Sequence, residues 1–235
     1  MNLNNFNYKD NYNEFLKYLY SYQDLNYLKF HSKLVKDKNI IGIRIPILKK
    51  IAKEISKSNY KDYIKYNSHN TYEEDMIYGL VLGYIKEPFK AVLEHLNIFI
   101  PYNDNWAIND TVCANLKIFK NNQEEGFAFI KKLLKSTNLW DIRFALVLLL
   151  DYYINDDYID ELYSIIDSIK SDDYYVEMAN AWLISICFIK YPDKTMKYLL
   201  NNNLDKFTYN KSIDKICDSY RVDKTYKDEL KKLKR

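Results

Sequence analysis

Glycine and proline are scarce in this chain of 235 residues, with four of each. Sandwiches and barrels of β-strands need many tight turns, and tight turns rely on these two residues. Their scarcity therefore argues strongly against an all-β fold. The length is sufficient for a sizeable core in one domain or in one continuous array of repeats.

Cysteine and histidine are also rare, with three of each. Cys113, Cys187 and Cys217 are far apart and odd in number, which fits neither a disulfide framework nor a zinc site. The histidines are equally scattered and have no acidic or cysteine neighbours at metal-ligand spacing. We therefore expect no metal site and a reducing, cytoplasmic location.

Signals for cofactors, membranes and secretion are missing as well. The sequence has no glycine-rich phosphate loop and no serine or cysteine in a nucleophile elbow, so we expect no cofactor, no nucleotide hydrolysis and no acyl transfer. No stretch approaches 18 uncharged apolar residues, and the N-terminus lacks a basic start followed by an apolar run. We expect a protein that is neither secreted nor membrane-spanning.

Apolar residues recur at spacings of three and four almost throughout, which predicts an all-α protein of roughly a dozen amphipathic helices. Pro46, Pro88 and Pro192 each stand where a helix should begin, a position at which the missing N–H costs nothing. The clearest predicted helices run approximately over Tyr12–Tyr22, Ile45–Ser56, Glu73–Ile85, Trp106–Phe119, Glu124–Leu134, Leu139–Tyr153, Tyr174–Lys190 and Asp193–Leu200.

Three strongly apolar helices recur from about Tyr72 onward, in the stretches "YGLVLGYI", "FALVLLLDYYI" and "AWLISICFI". They fall at a loose period of about 35 to 40 residues, which is typical of an α-solenoid whose repeats bury their apolar helix against neighbours. No linker rich in glycine, proline or serine interrupts the chain. We therefore predict a single domain over residues 1–235.

The residues that could carry chemistry are tryptophan, aspartate and arginine on separate predicted helices. Trp106 and Asp110 are four residues apart and so lie on one helix face, where a carboxylate beside an indole is poorly solvated and needs a reason to be there. Arg143 opens one apolar helix and Trp182 lies in the middle of another. Taken singly, Trp182 is more simply a core residue, and Arg143 could cap or pair with a neighbour.

Together these pieces resemble the AlkD-type DNA alkylation repair family, the HEAT-like-repeat DNA glycosylases. The resemblance is carried by "IIGIRIPILKKIAKEI", "EEDMIYGLVLGYI", "NWAINDTVCANLK", and "WDIRFALVL" followed by "AWLISICFIKYP", over about residues 28 to 220. It implies a right-handed α-solenoid of HEAT-like repeats with a concave groove that binds duplex DNA.

The same resemblance implies a set of site residues. The family places an aspartate between two tryptophans, with an arginine nearby. By position, Asp110 is the expected catalytic carboxylate, Trp106 and Trp182 are its paired aromatics, and Arg143 is the supporting basic residue. Trp140 has no counterpart, and we expect it to be structural. Ala107 stands where the family often has an acidic residue after the first tryptophan.

The implied activity is that of a monofunctional alkylpurine DNA glycosylase, which hydrolyses the N-glycosidic bond of positively charged N3- or N7-alkylated purines without flipping the base. A carboxylate can stabilise the oxocarbenium-like sugar, indole faces can attract its positive charge, and an arginine can hold a flanking phosphate. We expect a monomer acting on the nucleoid.

The formal net charge is only +3, so any contact with DNA must come from a local basic face. Isolated lysines are more often solvated than in contact with a ligand. The candidates for this face are Arg44, Lys49, Lys50, Lys53, Lys190, Lys194, Lys206, Lys211 and Lys215.

Two other functions fit the sequence. One is a non-catalytic DNA-binding relative that recognises distorted or branched DNA through the same groove. The other is a helical-repeat protein scaffold, a common use of α-solenoids that the small net charge permits. Three observations distinguish these functions from the glycosylase. They are base release, DNA binding, and the presence of a cleft that holds Trp106, Asp110 and Trp182.

Overall fold

The computed structural model describes residues 1–35 and 38–235. In these residues every regular element is a helix: there are fourteen α-helices, two short 3-10 helices and no strand. The predicted all-α fold class is confirmed. No helix in the described ranges is both long and apolar enough to cross a membrane.

The chain forms two compact units, Met1–Asn122 and Gln123–Arg235. The helices of the first unit are α1 (Tyr8–Tyr20), α2 (Leu25–His31), α3 (Ile45–Ser56), α4 (Tyr60–Tyr66), α5 (Tyr72–Leu82), α6 (Phe89–Phe99) and α7 (Trp106–Asn115), with 3-10 helices over Ile100–Tyr102 and Lys117–Asn121. The helices of the second are α8 (Gln123–Leu133), α9 (Leu139–Tyr152), α10 (Ile159–Ser168), α11 (Tyr174–Lys190), α12 (Pro192–Leu200), α13 (Lys206–Asp218) and α14 (Lys224–Lys232).

Apolar spacing predicts most of these helices closely, and α3 and α11 have the predicted bounds. Helix α1 begins at Tyr8, four residues before the predicted start, because the Asn7 side chain accepts a hydrogen bond from the backbone N–H of Asp10 and so caps it there. Pro46 lies in the first turn of α3 and Pro192 opens α12, as predicted.

Helix α7 ends at Asn115, although the spacing predicts a helix as far as Phe119. The Asn115 side chain donates a hydrogen bond of 2.9 Å to the carbonyl of Leu80 in α5. Leu116 then leaves the helical conformation, and a 3-10 helix follows. The contact with α5 therefore accompanies the end of α7, which sequence periodicity does not reveal.

A largely buried helix forms the centre of each unit. In the first unit α5 packs against both α3 and α7, and all eleven residues of α5 are buried. In the second, α11 packs against both α9 and α13. Gly79 allows α5 and α7 to approach closely, because a Cβ atom at this position would lie 2.8 Å from the Phe99 ring and closer still to Val112.

Candidate active site and nucleic-acid interface

Helix α7 begins at the first of the predicted site residues, Trp106. Asn105 caps the helix: its side-chain oxygen accepts hydrogen bonds from the backbone N–H groups of Ala107 and Ile108, at 3.1 and 3.0 Å. The indole Nε1 of Trp106 donates to the carbonyl of Leu34 at 3.4 Å. The cap and this contact fix where the indole lies, and its ring remains partly exposed.

Trp106 and Asp110 are both partly exposed, whereas the three residues between them are buried. This is the pattern that a spacing of four gives when one side of a helix faces outward. The structure therefore places the predicted indole and carboxylate on the same side of α7. Their accessibility is what a site for a large ligand requires.

A chain of amide side chains supports the Asp110 carboxylate. The Asn109 side-chain amide donates to Asp110 Oδ1 at 3.2 Å, while the Asn109 side-chain oxygen accepts from the amide of Asn103 at 2.8 Å. Asn103 and Asn109 are 1% and 0% exposed. A buried amide that donates to a carboxylate restricts its rotation.

Ala107 lies on a different side of the helix from this pair. It is 7% exposed and belongs to the buried face of α7. An acidic side chain at this position would need a buried partner to offset the loss of hydration. The departure from the family pattern at Ala107 therefore affects the packed face of α7, whereas Trp106 and Asp110 occupy the accessible face.

Arg143 lies in the second turn of α9 and is buried, with 6% of its surface exposed. Its Nη1 donates to the carbonyl of Tyr175, in the first turn of α11, at 2.6 Å. The Trp140 ring packs against the Tyr175 ring, with centroids 4.9 Å apart. The guanidinium thus links the starts of two neighbouring helices, and its predicted contact with a phosphate stays a prediction.

Trp182 lies in the middle of α11 and borders a cavity of about 360 Å³. The indole is partly exposed, as are Ile186 and Ile189 one and two turns further along. The same cavity is lined by Lys215, a predicted DNA contact, and by Arg221, which sequence reasoning missed because it follows α13 in an irregular segment. The wall beside the partly exposed indole therefore carries two cations and one carboxylate, that of Asp218.

The four predicted catalytic residues are divided between the two units. Trp106 and Asp110 are on α7 of the first, and Arg143 and Trp182 are on α9 and α11 of the second. The structure places Trp106 and Asp110 on one helix face, and Arg143 and Trp182 on adjacent helices. That the four form one site stays a prediction.

The predicted basic residues have different surroundings. In the first unit, Arg44 forms an ion pair of 2.9 Å with Asp24, and Lys49 and Lys50 are exposed on α3. Lys53 borders a cavity at the end of α3. Arg44 is thus already partnered by an acid, while the α3 lysines face solvent.

In the second unit, Lys190 donates to the carbonyl of Ile154 at 3.3 Å, and Lys194 contacts both carboxylate oxygens of Asp160 at 3.0 and 2.9 Å. Lys206 and Lys211 line a cavity at the start of α13. Of the predicted basic set in this unit, Lys215 is the member that shares a cavity with a predicted catalytic residue.

His69 has an acidic neighbour that sequence spacing did not suggest. Its Nδ1 lies 2.6 Å from Asp75 Oδ1, and its ring stacks on Tyr102 with centroids 3.4 Å apart. Lys38 bridges Asp75 and Asp104, at 2.8 Å from each. Over the described residues, no group of three or more histidine, cysteine, aspartate or glutamate side chains could hold a metal ion.

Comparison with known families matches residues 15–216 to the family described as DNA alkylation repair enzyme. The match includes parts of both compact units and all four predicted catalytic residues. A search of curated proteins finds no significant match.

Proposed function

The chain belongs to the DNA alkylation repair enzyme family, and on this basis we propose that it is a monofunctional DNA glycosylase. Its proposed substrates are purines in duplex DNA that carry a positive charge from alkylation at N3 or N7. The observation that carries this proposal is the pairing of Trp106 with Asp110 on the accessible side of α7, within the matched residues.

The proposed reaction breaks the bond between the sugar C1′ and the alkylated base. The electron pair of that bond leaves with the base, which becomes neutral, and the sugar acquires oxocarbenium character. Water then adds to C1′ and gives up a proton to the Asp110 carboxylate or to solvent. Because the substrate base is already cationic, the enzyme needs to supply only moderate stabilisation.

Each site residue has a role in this proposal. The Asp110 carboxylate stabilises the positive sugar and positions the attacking water. The indoles of Trp106 and Trp182 hold the deoxyribose and attract its positive charge through their faces. Arg143 holds a flanking phosphate.

The proposed architecture is a single right-handed α-solenoid of HEAT-like repeats whose concave groove binds the duplex. It is supported by the packing of alternate helices within each unit: α5 contacts α3 and α7 in the first, and α11 contacts α9 and α13 in the second. In this groove the lesion is sensed through sugar and backbone, and the base is not flipped into a pocket. The proposed enzyme is a cytoplasmic monomer that needs no cofactor.

The test is base release from a duplex that contains N7-methylguanine, under single-turnover conditions. We expect release well above the spontaneous rate, and a decrease of about 100-fold in Asp110→Asn, which removes the charge and keeps the shape. Asp157→Asn is the control, because Asp157 is exposed in the segment before α10.

Two results would overturn the proposal: release at the spontaneous rate, or equal release by the wild type and Asp110→Asn. If release is absent but the protein binds DNA in a salt-dependent way, the non-catalytic DNA-binding function replaces it. If the protein binds no DNA at low salt, the scaffold function is favoured.

A further inference from the structure

A cavity of about 500 Å³ lies in the first unit, at the C-terminal end of α3. It is bordered by the end of that helix, the start of α4 and the segment that follows α5. The four predicted catalytic residues lie elsewhere, and of the predicted DNA-binding set Lys53 borders this cavity. Its volume is within the range of pockets that hold small ligands.

Three lysines line this cavity, Lys53, Lys57 and Lys86. They come from two separate parts of the chain, the α3 helix with the residue after it and the segment after α5, and all three are exposed. None of the described residues that line the cavity is acidic. The wall therefore presents a concentrated positive charge, although the net charge of the whole protein is only +3.

Four residues with hydroxyl groups also line the cavity, Ser56, Ser58, Tyr60 and Tyr84. The Ser56 and Ser58 hydroxyls already donate to the carbonyls of Lys53 and Leu3, at 3.0 and 3.1 Å. A tyrosine hydroxyl is protonated at neutral pH, and burial raises the pKa of Tyr84 further, so this hydroxyl can donate a hydrogen bond. The Tyr60 hydroxyl donates to Glu87, an acid next to this segment. Lys61 also pairs with Glu87, at 3.2 Å, so that carboxylate is already partnered.

We propose that this cavity binds the terminal phosphate of a nucleotide, either free or at the end of a nucleic-acid strand. Lysine ammonium groups and the Tyr84 hydroxyl are donors from which a phosphate accepts hydrogen bonds. Three positive charges suit a terminal phosphate, which carries close to two negative charges, better than a singly charged phosphodiester. The two tyrosines offer ring surface for the attached nucleoside. The site does not rest on the proposed glycosylase function.

Calorimetric titration with adenosine 5′-monophosphate, and with adenosine as the ligand lacking the phosphate, tests the site. We expect the monophosphate to bind at least about tenfold more tightly than adenosine. A second pair of ligands, one single-stranded oligonucleotide with a 5′-phosphate or a 5′-hydroxyl, is compared by fluorescence anisotropy. Preference for the phosphate in the first pair identifies a free nucleotide as the ligand, and preference in the second pair alone identifies a strand end.

The double variant Lys57→Gln/Lys86→Gln should lower the affinity for the phosphorylated ligand by about tenfold or more. The matched control is Lys117→Gln/Lys120→Gln, which removes the same charge from two exposed lysines of the same unit that do not line the cavity. All four positions are exposed, and a thermal melt of each variant checks folding. Single substitutions of Lys57 and Lys86 provide the same comparison if the double variant unfolds.

The proposal is overturned if neither ligand pair shows a preference for the phosphate. It is also overturned if both double variants lose affinity equally, since that result indicates attraction by net charge alone. Base release by Lys57→Gln/Lys86→Gln should equal that of the wild type, because neither residue belongs to the proposed catalytic or DNA-binding set. A protein without glycosylase activity can still prefer the phosphorylated ligand. Failure of the glycosylase proposal is therefore distinguishable from failure of the phosphate-site proposal.

Discussion

At the residue scale, Asp110 is the end of a chain of hydrogen bonds that starts inside the protein. Asn103 donates to Asn109, and Asn109 donates to the carboxylate. A carboxylate that must stabilise charge on a sugar performs best when its position is fixed before the substrate arrives. Asn109 therefore acts as a positioning residue in the proposed reaction.

Replacing Asn109 with alanine tests this role. We expect the single-turnover rate of base release to decrease by about tenfold, since the carboxylate loses one donor, and the affinity for DNA to stay the same. The free energy of unfolding should decrease by about 1 to 3 kcal/mol, because the buried Asn103 amide loses its partner.

Asn115→Ala provides the control on the same helix. Asn115 is also buried, and its amide donates to the Leu80 carbonyl, at the other end of α7 from Trp106. We expect a comparable loss of stability with little change in the rate. If the two variants lose equal activity, Asn109 contributes only to folding.

The sequence predicts the tryptophan and aspartate of α7 as site residues but not the asparagines that hold the carboxylate. The spacing of Trp106 and Asp110 is a helical repeat, which sequence displays directly. The bond from Asn103 to Asn109 joins the segment before the helix to its first turns, and this geometry depends on how that segment folds. Asparagine is also frequent in this chain, so its presence at position 103 carries little information by itself.

At the element scale, the buried carboxylate of Glu73 fixes the segment that leads into α3. It is 0% exposed and accepts hydrogen bonds from the backbone N–H groups of Ile41, Gly42 and Ile43, at 2.8, 2.7 and 3.1 Å. Burial raises the pKa of Glu73, and these three hydrogen bonds oppose the rise. Gly42 has φ +96°, a conformation that a side chain would strain.

We expect Glu73→Gln to lower the free energy of unfolding by about 2 to 4 kcal/mol, because an NH₂ group replaces one of the two oxygens that accept from the backbone. Chemical denaturation with circular dichroism measures the change. Glu125→Gln on α8 is the control, since Glu125 is exposed and its substitution should change stability by less than about 0.5 kcal/mol. Equal stability of the two variants would show that the backbone segment does not depend on Glu73.

Helices with a strong apolar pattern could be predicted from the sequence almost to the residue, and α3 and α11 are examples. The spacing of apolar residues indicates which side of a helix is buried, but it does not indicate a contact that a residue makes with another helix. Helix α7 is shorter than predicted, and Asn115 at its end is held by the C-terminal turn of α5. Glu73 likewise reads as a polar residue at a helix start, yet it is fully buried.

At the scale of the whole molecule, the small net charge makes the local arrangement of cations decisive for DNA binding. Each phosphate neutralised by a lysine releases counterions, so the logarithm of the binding constant falls linearly with the logarithm of the salt concentration. The slope of that line reports how many lysines are in contact. Lys194 and Lys215 of the predicted basic set have different surroundings, so substituting each one tests which of them contacts DNA.

Lys215→Gln should weaken DNA binding and reduce the slope by roughly 0.9, the value for one phosphate contact, because Lys215 lines the cavity beside Trp182. Lys194→Gln should leave both quantities nearly unchanged, since Lys194 contacts both carboxylate oxygens of Asp160. Binding is measured by fluorescence anisotropy on a duplex at several salt concentrations. Equal changes in the two variants would mean that net charge governs binding, and the wall around Trp182 would then have no special role as a DNA contact.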